Sequence, residues 1–205
     1  MTRPALLLAS ASPRRAELLR AAGLEFRVHA VDCDERWHAG ETPIAYALRV
    51  AAAKATLAAS ELAGQDALVL AADTTVWLRD DAEPLGKPED RDRARAMLRS
   101  LTSGTPHRVT TACVFVRVQP GEPANTRAIE PVLETAEVAM RCFSDSAFER
   151  FIGPYLDAGE WTDKAGGYAI QGLAAGLVER IVGSYTTIVG LPLAQVLVRL
   201  EQVWS

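Results

Sequence analysis

Cysteine is scarce in this chain and shows no pattern. Cys33, Cys113 and Cys142 include no Cys-x-x-Cys pair, which argues against a disulfide framework and against a thiolate zinc site. Histidine is equally sparse, and His29, His38 and His107 lack metal-ligand spacing. No apolar run approaches the ~18 residues of a membrane-spanning helix. The apolar stretch 5–9 is too short for a signal-peptide core, so the cytoplasm is the expected compartment. An excess of positive charge is also missing: 22 Lys and Arg stand against 26 Asp and Glu, a net charge of −4. That excludes a global basic field for nucleic acid or a membrane surface, and any phosphate binding needs a local cluster of cations. Lysine itself is rare: 19 of the 22 basic residues are arginine, and the three lysines are Lys54, Lys87 and Lys164. What remains is an ordinary globular balance over 205 residues, 49% hydrophobic and 23% charged, compatible with one or two domains.

The pattern along the chain alternates helix and strand. An apolar strand at 5–9 leads into a helix at about 13–22, with Ser12 as N-cap, Pro13 at its first position and Gly23 at its end. A strand is expected over 26–31, a polar loop over 32–42 and an Ala-rich helix over 43–60. An apolar strand at 67–72 continues extended through 74–78, and an acid-, Pro- and Gly-rich turn occupies 80–88. An amphipathic helix follows at 90–101. Two β-rich runs, 107–118 and 132–143, form a hairpin with a long tip at 119–131. The remainder reads as a helix at 146–155, a Gly-rich loop over 157–176, a hairpin of 177–182 with 185–189, and a C-terminal helix at 193–203. Several hairpins interrupt the alternation. The expectation is therefore a mixed α/β unit spanning 1–205 rather than a strict βαβ repeat.

Five segments carry chemistry. In Ser10-Ala-Ser-Pro-Arg-Arg15, Arg14 and Arg15 occupy the positive end of a helix dipole. The conflict disappears if an anion binds there, held by helix N–H groups, Ser10, Ser12 and the guanidinium forks. Two solvated arginines are the alternative. Asp73 interrupts an apolar run, and a lone buried carboxylate is costly unless it is paired, metal-bound or protonated. It is the candidate catalytic or metal-binding acid, the alternative being a turn aspartate bonded to its own backbone. Lys87 projects from a Gly-Lys-Pro turn and suits a phosphate, although turn lysines are usually solvated. Lys54 lies in the Ala-rich helix, whose plain reading is a solvated face, and the upstream acids Asp34 and Glu35 could help hold a divalent cation. Asp163, Lys164 and Gln171 share a Gly-bounded loop whose backbone can approach a ligand, with Gln171 able to read a base edge. Trp37, Trp77, Trp161 and Trp204 read as packing, and Tyr168 is the one aromatic expected near a ligand.

Taken in order, eight segments resemble the Maf family of nucleoside triphosphate pyrophosphatases. They are Ser10-x-Ser-Pro-Arg-Arg15, Asp34-Glu35, Lys54 in its Ala-rich helix, Ala72-Asp-Thr74, Gly86-Lys-Pro88, Asp163-Lys-Ala-Gly166, Ile170-Gln-Gly172 and Val189-Gly-Leu-Pro192. Arg14, Thr74 and Gln171 resemble the dTTP/UTP branch, whereas the branch active on 7-methylguanosine triphosphate typically has Trp, Gln and no Ile-Gln-Gly segment at those places. The resemblance implies a mixed sheet with flanking helices in two lobes around a nucleotide cleft, and hydrolysis of a nucleoside triphosphate to the monophosphate and pyrophosphate. It also implies a homodimer and a link to arrest of septum formation. Both readings lead to Arg14, Arg15, Lys54 and Lys87 neutralising the triphosphate, a Mg²⁺ or Mn²⁺ shared by Asp73 and Glu35, and Asp73 as general base or water-orienter. Thr74, Gln171 and Arg14 would set base choice. Ala71, Gly167, the segment 102–105 and the long tip at 119–131 depart from the family pattern. The alternatives are a non-catalytic nucleotide-binding regulator and the methylguanosine branch.

Overall fold

One six-stranded mixed sheet organises the residues described by this computed structural model, 3–62, 64–121 and 127–204. In chain order its elements are β1 (Ala5–Leu8), α1 (Pro13–Ala21), β2 (Arg27–Val28), α2 (Pro43–Glu61), β3 (Ala67–Trp77), α3 (Arg91–Leu101), β4 (His107–Val118), β5 (Arg127–Met140), α4 (Asp145–Ala158), β6 (Val178–Val182), α5 (Tyr185–Val189) and α6 (Leu193–Trp204). Short 3-10 turns at Ala165–Gly167 and Leu173–Leu177 lie between α4 and β6. The strand order is β2-β1-β3-β4-β5-β6. β1 runs parallel to β2 and β3, and the remaining pairs are antiparallel.

β3 is the central strand and is covered on both faces, which explains its nearly continuous apolar run. Leu68, Leu70 and Ala72 face Ala16 and Leu19 of α1 and Val196 and Leu200 of α6. Val69 and Ala71 face Ala55, Ala58 and Ala59 of α2. The small side chains of α2 let the helix approach the sheet closely. Local signals start the helices: Pro43 opens α2 behind Thr42, whose hydroxyl accepts from Ala45 N, and the Asp90 carboxylate accepts from Arg93 N at the start of α3.

Several expectations change. The strand expected over 26–31 contracts to Arg27–Val28 at the sheet edge. β5 starts at Arg127, so the hairpin connection is shorter than 119–131; residues 122–126 of that tip lie outside the described residues. Pro131 sits inside β5 without breaking it because the register shifts opposite it, between Cys113 and Phe115, where a missing N–H is tolerated. The loop expected over 157–176 contains the end of α4 and the two 3-10 turns.

The final hairpin is not formed. β6 pairs instead with β5, and 185–189 coils into α5. The β-branched run Thr186-Thr187-Ile188-Val189 reads as strand by local preference. Tertiary packing overrides it, burying Thr187, Ile188 and Val189. Gly183 makes the turn possible, with φ +112 and the place of its missing Cβ only 3.1 Å from Ala136 Cα. Among the described residues, no helix is long and apolar enough to cross a membrane.

Candidate active site

A cleft of about 1020 Å³ opens at one end of β1 and beside β3. Its walls come from the 9–15 turn, the 30–37 loop, α2, β3, the 83–87 turn, the 163–171 loop and the end of α5. Of the polar residues singled out from the sequence, Ser10, Ser12, Arg14, Arg15, Glu35, Lys54, Asp73, Thr74, Lys87, Asp163, Lys164 and Gln171 line it, and Asp34 does not.

Strand alternation sorts the two polar residues of β3 to opposite faces. Asp73 follows Val69 and Ala71 toward α2, and Thr74 follows Leu70 and Ala72 toward α1. On the α2 side waits Lys54, which belongs to the buried stripe Ala47, Ala51, Lys54, Ala55 and Ala58 rather than to a solvated face, and is only 8% exposed. Its Nζ donates to Asp73 Oδ1 at 2.9 Å and lies 2.7 Å from Glu35 Oε1. Tyr46, also on α2, donates its hydroxyl to the Glu35 carbonyl at 2.8 Å and steadies that loop. The adjacent acids separate: Glu35 enters the cleft, while Asp34 turns outward to Arg36.

The charges respond. Burial pushes the Asp73 carboxyl up, outweighing the attraction of Lys54 and Arg15. Burial alone would weaken the Lys54 ammonium, yet Asp73 and Glu35 together hold its pKa above the ordinary value. Glu35 is partly desolvated, but Lys54, with help from Lys87 and Arg15, keeps its carboxyl below the usual range. A carboxyl raised by burial and held against a fixed cation is a pattern of functional sites.

On the α1 side, Arg15 is tied internally. Its Nε donates to Gly190 O at 2.9 Å, Nη1 to Ser10 Oγ at 2.8 Å and Nη2 to Thr74 Oγ1 at 3.1 Å. Two of its five N–H groups remain for a ligand. Thr74 meets Thr111 Oγ1 at 2.9 Å, and Thr111 donates to Thr187 O at 2.8 Å. This chain runs from α1 through β3 and β4 to α5. Arg14 differs: it is half-buried, and burial and then the neighbouring Arg15 lower its pKa against the pull of Asp163 and Glu17. Lys164 is lowered by burial and by Arg14. Ser12 is the N-cap of α1 without a side-chain cap bond, and no acid sits in the first turn. Arg14, Lys87 and Lys164 thus line one cleft with a helix N-terminus that has no acid in its first turn, an arrangement suited to an anion.

Sequence reasoning did not single out Thr111, His107 or Tyr46. Thr111 and His107 are fully buried polar residues on β4. Their signal in the sequence was weak, because β4 carries Arg108 and Thr110 beside them and nothing local tells which of its polar residues are buried. Tyr168 lines the cleft as expected, but it is joined there by Tyr46 and by Trp37, which reads as packing from the sequence.

The residues fit a divalent ion delivered with phosphate. The Lys54 ammonium already demonstrates that the Glu35 and Asp73 carboxylates converge on one cation. Among the described residues no group of three His, Cys, Asp or Glu could hold a metal. Two carboxylates, with phosphate oxygens and water completing the shell, are the donor set typical of Mg²⁺.

Compared with known proteins, the model of the Maf-like protein family matches residues 5–203. This chain belongs to the Maf family. Its Maf relatives include a protein of Hahella chejuensis, 43% identical over 98% of this chain and 94% of its own length. Another is from Anaeromyxobacter dehalogenans, 46% identical over 94% of this chain and 90% of its own. Both relatives carry the name dTTP/UTP pyrophosphatase. Among solved structures, this Maf chain is similar to a HAM1 protein from Coxiella burnetii, with TM-score 0.49, 16% identity and coverage of 97% and 99% of the two chains.

Proposed function

We propose that this chain hydrolyses dTTP and UTP to the nucleoside monophosphate and pyrophosphate, the activity for which its relatives are named. The observation that carries the reading is the Lys54 ammonium between Asp73 and Glu35, in a cleft that Arg14, Lys87, Lys164 and the N-terminal turn of α1 also line.

In the proposed step, a water oxygen bonds to the α-phosphorus while the bond from that phosphorus to the bridging oxygen breaks. The water proton passes to Asp73, and pyrophosphate leaves. Burial raises the proton affinity of Asp73, and Lys54 holds its carboxylate in place. Arg14, Lys87, Lys164, the two spare N–H groups of Arg15 and the α1 N-terminus take up the triphosphate charge. Ser10 and Ser12 complete the anion cradle, and Asp163 restrains Arg14. A Mg²⁺ or Mn²⁺ held by Glu35 and Asp73 would supply charge neutralisation at the phosphate oxygens when bound. Gln171 offers a donor and an acceptor matching the imide edge of uracil or thymine, and with Thr74 and Arg14 it sets base choice. The family resemblance extends the proposal to a cytoplasmic homodimer in which 1–205 acts as one domain.

The test is pyrophosphate release from dTTP, UTP, 7-methyl-GTP and dATP with Mg²⁺ or Mn²⁺, by wild type and Asp73→Asn in parallel. Release from dTTP and UTP that disappears in the variant supports the reading. Tight nucleotide binding without release from any substrate replaces it with a non-catalytic regulator.

A further inference from the structure

The loop that presents Gln171 is gripped by residues that do not themselves reach its side chain. His107 on β4 is fully buried, and its Nε2 lies 2.8 Å from the Tyr168 hydroxyl. The two rings meet edge to face, 5.4 Å between centroids and 82° between planes. Tyr155 on α4 donates its hydroxyl to Gly167 O at 3.1 Å and accepts from Ala169 N at 3.2 Å. The Gly166 N–H is shared between Leu85 O at 3.1 Å and Gly86 O at 3.0 Å, beside Lys87. Farther along, Glu160 Oε2 accepts from Leu173 N at 2.8 Å. Gly166, Gly167, Tyr168, Ala169 and Leu173 are therefore all anchored, and the Gln171 side chain between them is left exposed in the cleft.

An apolar pair would serve packing better. His107 Nδ1 is buried with no partner among the described residues, and an unsatisfied buried nitrogen costs stability. The hydrogen-bonded ring pair provides direction, because it sets the height of Tyr168 above β4 where a greasy contact would let it slide. Gly167 fits the same scheme: its φ of +71 suits glycine, and its carbonyl is the acceptor for Tyr155.

We propose that His107 and Tyr155 are positioning residues for base recognition. Acting through Tyr168 and the 167–169 backbone, they hold Gln171 at a fixed depth, so that the cleft selects a pyrimidine over a larger base. The proposal rests on the dTTP/UTP reading and names what enforces its selectivity.

The test uses Tyr155→Phe and Tyr168→Phe, which each remove one oxygen, with His107→Leu and the more conservative His107→Gln. Steady-state kinetics on dTTP, UTP and dATP, below the melting temperature of every variant, are paired with amide hydrogen exchange across 163–173. The expected result is a KM for dTTP raised about tenfold, kcat changed by less than about threefold, and the dTTP-to-dATP ratio of kcat/KM lowered about tenfold. His107→Gln should recover part of the loss seen in His107→Leu, and exchange in 165–171 should quicken in Tyr155→Phe. Variants that melt lower but keep wild-type KM and selectivity would overturn the proposal, since a packing role moves only stability. A wild type inactive on dTTP and UTP overturns the activity reading instead. Exchange then decides the grip by itself, and unchanged exchange in Tyr155→Phe refutes it.

Discussion

The Lys54 ammonium lies 2.9 Å from Asp73 Oδ1, and each side chain keeps only about a tenth of its surface in water. An unpaired buried charge is destabilising, and each group here has a second charged neighbour, Glu35 at 2.7 Å from Lys54 and Arg15 near Asp73. The pair places a carboxylate with raised proton affinity in a cleft that Arg14, Arg15, Lys87 and Lys164 also line.

Replacing Asp73 by Asn keeps the shape and removes the proton acceptor. The expected outcome is a loss of pyrophosphate release of about a hundredfold or more. Circular dichroism should show the fold retained. Turnover within threefold of wild type would remove Asp73 from its proposed role.

Lys54→Met should move the pH dependence. Lys54 and Arg15 pull the Asp73 pKa down against burial. Without the ammonium that pKa rises further, so the ionised base is lost at a higher pH. The acid limb of kcat/KM should shift upward, and activity should fall most on the acidic side. An unshifted limb would mean that another group controls it.

Glu35→Gln should weaken the hold on the ion rather than the chemistry. Glu35 is the more exposed of the two carboxylates, 41% against 11%. The concentration of Mg²⁺ giving half-maximal rate is expected to rise about tenfold, and saturating metal should restore most of the rate. Metal titration of wild type and variant checks this.

His107 links stability to pH. Burial lowers its pKa from 6.5 to about 4. Between those values the unfolded chain binds a proton that the folded chain refuses. Stability should therefore fall as pH drops from 6.5 to about 4 and then level off, by at most about 3 kcal/mol from this group. Denaturant midpoints measured across that range for wild type and His107→Leu should differ in slope, the variant being flatter.

Gly183→Ala tests the turn that replaces the expected hairpin. A Cβ there meets the Ala136 backbone at 3.1 Å with φ at +112. The expected cost is about 2 kcal/mol, read as a lower midpoint in urea. Pyrophosphate release by the folded protein should be retained, because Gly183 lies outside the cleft.

Much of the architecture was readable locally. Pro13 at the first position of α1, Pro43 behind the capping Thr42 and the capping Asp90 ahead of α3 mark helix starts within a few residues, because proline's fixed φ and capping both act at short range. The apolar run of β3 reads as a strand buried on both sides, and the acid inside it reads as a residue needing a partner. That partner was not readable. A lysine among alanines is solvated by default, and only the packing of α2 on β3, which brings together charges 19 positions apart, turned Lys54 inward. Arg15 is a similar case. Its place at a helix N-terminus suggested an anion, while its bonds to Thr74 and Gly190 span 59 and 175 residues. The β-branched run of α5 and the separation of Glu35 from Asp34 were likewise decided by what packs against them. Short-range patterns thus determine where elements begin and which residues are chemically conspicuous. Which way each of those residues faces, and what it pairs with, depends on contacts between distant segments that exist only once the sheet has brought them together.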